Sequence, residues 1–198
     1  MSESDVALLS RIREGDSGAL GILLERYWAP VVRYATTLLE SRDAAEDIAQ
    51  DTFVRLWERR EAWKLEGSVR ALLFRVARNL SLDELRRRSA RERTMRVARV
   101  APSVWSPDDD LENTELRALI VGAVDSLPSR RRQVFVLVRH YGLSYREAAA
   151  VLDLSPQTVA NHLSLALADL RESLAPRFRE RSNPDSTAEG DVTEGRSA

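Results

Sequence analysis

The chain has 198 residues, no cysteine, two histidines, and 30 basic against 31 acidic side chains, for a net charge of −1. Disulfides and cysteine-based metal sites or nucleophiles are therefore excluded, while the length suffices for one domain or two small ones with real cores. No apolar run is long enough to span a bilayer, and the acidic, amphipathic start MSESDVALLSRIREGD is unlike a secretory signal, so a cytoplasmic protein without membrane insertion is expected.

Helical periodicity runs through most of the chain, and no strand-period alternation or hairpin turn is found. Residues Asp5 to Glu14 read as a short amphipathic helix. Asp16 caps a longer one carrying Leu20, Leu23, Leu24, Tyr27, Val31, Ala35 and Leu38, with a bend expected at Pro30. Asp43 and Glu46 make a D-x-x-E start for a third helix bearing Ile48, Ala49, Phe53 and Leu56. Gly67-Ser68 opens a fourth, in which Val69, Leu73, Val76, Ala77 and Leu80 line the inner side and Arg75, Arg78, Asn79 and Arg86 the outer.

Charge is segregated along the chain. Residues 70–100 hold ten arginines against Asp83, Glu84 and Glu92, whereas 101–125 hold six acids against Arg117 alone. The stretch APSVWSPDDDLEN joins two prolines to an acidic run and reads as an extended linker. The expected organisation is a helical unit over 1–95, a linker over 96–111, a second helical unit over 112–178 and a disordered polar tail over 179–198. The fold class is accordingly all-α, with two small helical domains joined by a flexible acidic linker.

Beyond the linker, Gly142 ends one element and Ser144 with Glu147 forms an S-x-x-E capping box for the next, which turns Ala148, Ala149 and Leu152 inward. A turn at Asp153-Leu154 follows, and Ser155-Pro156 supplies an N-cap and an N1 proline for a further helix. In that helix Val159, Leu163, Ala166 and Leu170 form a buried stripe, while Gln157, Asn161, Ser164 and Ala168 face away. Gln157, Thr158 and Asn161 are placed as early polar residues of a recognition helix would be. An αα-hairpin with a solvated polar face has a similar pattern; the close-packing alanines and the Ser-Pro restart favour a helix-turn-helix.

The one-signed face of the fourth helix, continued by Arg86-Arg87-Arg88 and Arg91, has the composition of a phosphate-binding helix, against the plainer reading of a solvated charged face. Trp57, Trp63 and Phe74 lie near it in sequence. Each suits the core, and each is also a candidate to stack on unpaired bases, with Trp63 expected to be the most exposed.

Three segments taken in order, DAAEDIAQDTFVRLWERREAW at 43–63, VARNLSLDELRRR at 76–88 and LPSRRRQVFVLVRHYGLSYREAAAVLDLSPQTVANHLSLALADLRESL at 127–174, resemble a bacterial extracytoplasmic-function sigma factor. The resemblance covers nearly everything from Asp5 to about Leu174. It implies sigma domain two and sigma domain four, a protein that binds core RNA polymerase and directs promoter-specific transcription initiation, no cofactor and no enzymatic reaction. It also implies that Asp47, Gln50, Asp51, Phe53, Arg55 and Trp57 meet the clamp helices of the polymerase β′ subunit. The minus-ten promoter element would be read by Trp63, Ser68, Arg75, Arg78, Asn79, Asp83, Arg86 and Arg87, with the 63–68 loop accepting an extruded base. Capture of that base would offset part of an unstacking cost of roughly a few kcal/mol.

The same resemblance gives the minus-thirty-five element to Ser144, Tyr145, Ser155, Gln157, Thr158, Asn161, His162 and Arg171, docks this domain on the polymerase β flap, and threads the acidic linker toward the active centre. An anti-sigma factor is an implied partner. The chain departs from the family at Ala160, His162, Leu165 and Leu167, where members commonly carry Lys or Arg. Phosphate attraction is therefore expected from Arg130, Arg131, Arg132, Arg171 and Arg177 instead. Two other classes compete. A response-regulator type of helix-turn-helix regulator leaves the third and fourth helices unexplained. An all-helical metal-dependent phosphohydrolase would use Asp43, Glu46, Glu58 and Glu61, acids that helix starts and surface pairing already explain.

Overall fold

Every regular element among residues 3–63, 67–92 and 114–182, which the computed structural model describes, is a helix. The chain forms α1 (Asp5–Arg13), α2 (Ser17–Leu39), α3 (Arg42–Glu58) and α4 (Val69–Glu92), then α5 (Thr114–Asp125), α6 (Ser129–Phe135), a π-helical turn (Val136–His140), α7 (Tyr145–Leu152) and α8 (Pro156–Ser182). The whole of the linker expected over 96–111 lies outside the described residues, as does the tail beyond Ser182. The last helix continues through Pro176 to Ser182, past residue 178 where the tail was expected to begin.

Local signals set most of the starts. The Asp16 carboxylate accepts from the Gly18 and Ala19 N–H groups at the head of α2, and Arg11 grips its other oxygen at 2.9 and 2.7 Å. The bond from Arg11 and those from the helix N–H groups hold this carboxyl below its ordinary range. The third helix begins earlier than its D-x-x-E pattern suggests: Ser41 is the N-cap and accepts from Ala44 N–H, leaving Asp43 in the first turn, where the helix dipole favours an acid. At α4, Ser68 Oγ accepts from Ala71 N–H. The α7 capping box is complete, and Gly142 before it has φ +66°. Asp153 takes φ 57° in the turn before α8, a left-handed step normally left to Gly or Asn.

The stripe expected on α8 is buried at all four positions, Val159, Leu163, Ala166 and Leu170. The buried surface of α4 is much wider than its expected inner side. Ala71, Leu72, Phe74, Arg78 and Ser81 are buried along with Val69, Leu73, Val76, Ala77 and Leu80. The reason is tertiary. Helix α4 packs on α2 and α3, and α7 of the second domain covers another of its sides. The two helical domains thus meet directly, and one continuous apolar core runs through both.

Candidate nucleic-acid interface

Opposite its apolar contacts, α4 lines an open cleft of about 1180 Å³ whose other wall is the second domain. From α4 come Arg75, Arg78, Asn79, Asp83 and Arg86, five of the eight residues expected at the minus-ten element; Ser129, Arg130, Arg132 and Gln133 of α6 face them. Arg55, expected at the polymerase, also lines this cleft. Arg78 departs from its expected exposed position: it is only 7% exposed, and its Nε has no hydrogen-bond partner among the described residues. Asp83 is engaged by Arg86 at 2.9 Å. No ion pair is formed by Arg55, Arg75, Arg78 or Arg130 among the described residues, which leaves their charge available to an anion. Arg131 and Arg132 are tied to Asp169 and Asp125, so the 130–132 run supplies one unpaired guanidinium where three were expected.

Arg87 points elsewhere. One residue on from Arg86 is a 100° step around a helix, and it takes Arg87 into a separate groove of about 380 Å³ between α3 and α4. There it pairs with Glu84 at 3.2 Å and faces Asp47, Gln50 and Asp51. Those three are exposed on α3. Phe53, expected among the polymerase contacts, is turned into its own domain and stacks on Trp28 with ring centroids 6.4 Å apart. Trp57 is half-buried, with the Arg60 guanidinium 4.8 Å over its ring.

The aromatics near α4 divide. Phe74 is fully buried and takes no part in stacking on bases. Trp63 is half-buried, as expected, but pinned: its indole N–H donates to Leu56 O at 3.3 Å, and its own carbonyl accepts from Arg13. Residues 64–66, the centre of the loop expected to accept a base, lie outside the described residues.

On the helix-turn-helix, Ser144, Tyr145, Ser155, Gln157, Asn161 and Arg171 are exposed, and Thr158 and His162 half-buried. This face is ordered by its own side chains. Ser155 Oγ accepts from Thr158 N–H at 3.0 Å and lies 2.8 Å from Thr158 Oγ1, while Gln157 Nε2 donates to Asn161 Oδ1 at 3.1 Å. Gln157 and Asn161 therefore act as one prealigned amide pair one turn apart. Leu165 beside them is 46% exposed, as the helical count requires.

Glu147 does more than its capping box foretells. One carboxylate oxygen accepts from Ser144 N–H and Oγ–H, and the other accepts from Ser68 N–H at the head of α4 in the other domain, at 3.1 Å. Burial pushes this carboxyl upward, but the bonds from Ser68 and Ser144 outweigh it and hold the group below its ordinary range. A lowered carboxyl contributes stability that is complete above the unfolded-state value and is lost as pH falls through the folded one. The difference in unfolding free energy between the wild type and Glu147→Gln should thus be largest at neutral pH and shrink below about pH 4.3; urea melts across pH check it.

The family comparisons agree with this geometry. The sigma-70 region 2 family matches residues 23–91, covering α3 and α4, and the sigma-70 region 4 family matches residues 117–170, covering the helix-turn-helix. The chain belongs to the extracytoplasmic-function sigma factors. It is 25% identical to the ECF RNA polymerase sigma-E factor of Escherichia coli (strain K12) over 191 residues, which span 90% of this sigma factor and all of that protein. The protein of the same description from Haemophilus influenzae is also 25% identical, over 87% of this chain and 96% of its own. Among solved structures, CnrH in complex with the cytosolic domain of CnrY matches with a TM-score of 0.63 and 27% identity, over 88% of this chain and 99% of that one. The sigma factor RpoE in complex with the anti-sigma factor NepR from Bartonella quintana has the same fold, with a TM-score of 0.67 at 23% identity over 78% and 96% of the two chains.

Proposed function

We propose that this sigma factor binds core RNA polymerase through the exposed face of α3, opens the minus-ten element with α4, and reads the minus-thirty-five element with α8. The observation that carries this is the pairing, in one chain, of a carboxylate-and-amide rim on α3 with a cleft of unpaired arginines on α4. Asp47, Gln50 and Asp51 suit a basic helix of the β′ clamp, supported from inside by Phe53, with Trp57 at the edge. Arg75, Arg78, Asn79 and Arg86 suit phosphates of a strand being separated from its partner, and Trp63 and Ser68 frame the loop beside them. Asp83 orients Arg86. Arg87 sits nearer the polymerase rim and is assigned there. Ser144, Tyr145, Ser155, Gln157, Thr158, Asn161, His162 and Arg171 form the upstream reading surface, and exposed Leu165 suits a protein contact such as the β flap.

The chain performs no reaction of its own in this account: binding energy shifts the promoter toward its melted form. Location in the cytoplasm follows from the partner, and an anti-sigma factor is a further partner, by analogy with the complex of the sigma factor RpoE with the anti-sigma factor NepR. No described helix is long and apolar enough to cross a membrane. The test is co-elution of the full chain with purified core polymerase. A stoichiometric complex supports the reading, and free elution of the two components contradicts it.

A further inference from the structure

Between Pro156 and Leu170 the α8 segment holds no lysine and no arginine. Its exposed side chains after the first turn begins are Gln157, Asn161, Ser164, Leu165 and Ala168. At about 100° per residue, Asn161, Ser164 and Ala168 fall within about 40° of Gln157 around the helix. The centre of this face is therefore two carboxamides, a hydroxyl and a methyl group. His162 stands about 140° away from Gln157, half-buried, with its Nδ1 buried and without a hydrogen-bond partner among the described residues.

Hydrogen bonds within the face decide which polar edges remain for a ligand. Ser155 Oγ accepts from Thr158 N–H at 3.0 Å and lies 2.8 Å from Thr158 Oγ1, which engages the threonine hydroxyl and fixes the turn that carries Gln157. Ser164 Oγ donates to Ala160 O at 3.0 Å and keeps only its acceptor capacity. Gln157 Nε2 gives one hydrogen to Asn161 Oδ1 at 3.1 Å. A carboxamide has two N–H donors and one carbonyl, so Gln157 retains one N–H beside its Oε1, and Asn161 retains both hydrogens on Nδ2. The bond also holds the Gln157 amide from turning over, so its free edge is set before any ligand arrives.

That edge offers one donor next to one acceptor. In the major groove adenine is the one base that presents the complement, the N7 acceptor beside the N6 amino donor. Guanine presents two acceptors, N7 and O6, and would set O6 against Oε1. Two acceptors are matched by the donors of an arginine or lysine, which this face lacks. Asn161 Nδ2, about 6 Å further along the helix axis, can donate to N7 of a neighbouring purine.

We propose that Gln157, held in place by Asn161, sets the upstream sequence preference by selecting adenine and rejecting guanine at one base pair of the minus-thirty-five element. This selectivity rests on the sigma-factor reading and gives its recognition helix a base identity.

The full chain with core polymerase, offered a duplex library randomised at both promoter elements, should enrich duplexes with adenine at a fixed upstream position. At that position, guanine or 7-deazaadenine, which lacks the N7 acceptor but pairs normally, should weaken binding at least about fivefold. Gln157→Arg should reverse the preference to guanine at the same position, a change that loss of a merely structural residue would not produce. Asn161→Ala should relax the adenine preference about twofold. Both side chains are exposed, so thermal melts of the variants should match the wild type. No adenine preference at any upstream position, equal binding of the 7-deazaadenine duplex, or an unchanged base preference in Gln157→Arg overturns the assignment. Failure of core polymerase to bind overturns the sigma-factor reading instead, and the same library selected by the free full-length chain at low salt, where phosphate attraction is strongest, then decides the base choice.

Discussion

Reversing the charge of Asp47 and Asp51 together, to lysine, should weaken binding of core polymerase by at least about thirtyfold, the effect of roughly 2 kcal/mol at the low end for disrupting desolvated charge pairs across an interface. Both side chains are exposed on α3 and form no ion pair among the described residues; their companion Gln50 lies on the same rim. The fold should therefore be indifferent, with unfolding free energy changed by no more than about 0.5 kcal/mol. That separation makes the result readable. Loss of polymerase binding with an unchanged thermal melt assigns the effect to the interface, whereas a lysine placed at the buried neighbour Ile48 would destroy the helix packing and report nothing about partners. Fluorescence anisotropy of labelled protein titrated with core polymerase measures the first quantity, and calorimetry the second. Unchanged affinity would remove α3 from the polymerase interface.

The second large effect is on stability. Phe74→Ala should cost about 3–5 kcal/mol, a large share of the 5–15 kcal/mol typical of a folded protein. Phe74 is fully buried and packs against Tyr34 at 5.1 Å and Tyr141 at 4.6 Å between ring centroids. A cavity there has walls from both domains, so neither can collapse to fill it without moving the other. Tyr141→Ala alone should cost less, since Tyr141 is 7% exposed at the edge of the domain junction whereas Phe74 is fully buried. Because the rings touch, the double variant should depart from additivity by about 0.5–3 kcal/mol. Urea unfolding of the two single variants and the double variant measures this coupling. Strict additivity would mean that the domains do not unfold as a cooperating pair.

What the sequence made legible, and what it hid, follows from how far apart the interacting residues lie. The helix-turn-helix was readable because its signals are local: the Ser144–Glu147 capping box, the Ser155-Pro156 restart and the stripe from Val159 to Leu170 all act within one or two turns. The all-helical fold was readable for the same reason. The domain junction had no such signature. Tyr141 meets Pro30 and Arg70 across long stretches of chain, and periodicity on α4 marks which side is apolar without saying what covers the other side. Arg78 was accordingly expected outside and is buried, and Leu72 and Phe74 were missing from the inner side. Arg87 was grouped with Arg86 by adjacency, although a single helical step sends the two into different grooves. Glu147 was visible as a capping residue, but its second bond, to Ser68, is a property of tertiary structure alone.

The same contrast bears on the cation-poor recognition helix. Alanine, histidine and leucine stand at positions 160, 162, 165 and 167, and the arginines expected to compensate are partly spent on Asp125 and Asp169. On the proposed reading, upstream DNA contact depends on a few polar groups, chiefly the Gln157–Asn161 pair, and on the partner that carries the domain to the promoter. The helix is accordingly predicted to bind DNA weakly by itself.

Transcription from sheared genomic DNA by core polymerase, with and without this chain as the single added protein, tests the central claim most directly. The account predicts transcription products with discrete 5′ ends and shared upstream sequences only when the chain is present. Those products should disappear with the Asp47→Lys, Asp51→Lys variant. Discrete products that require a second sigma factor, or none above the background of core polymerase alone, would contradict it.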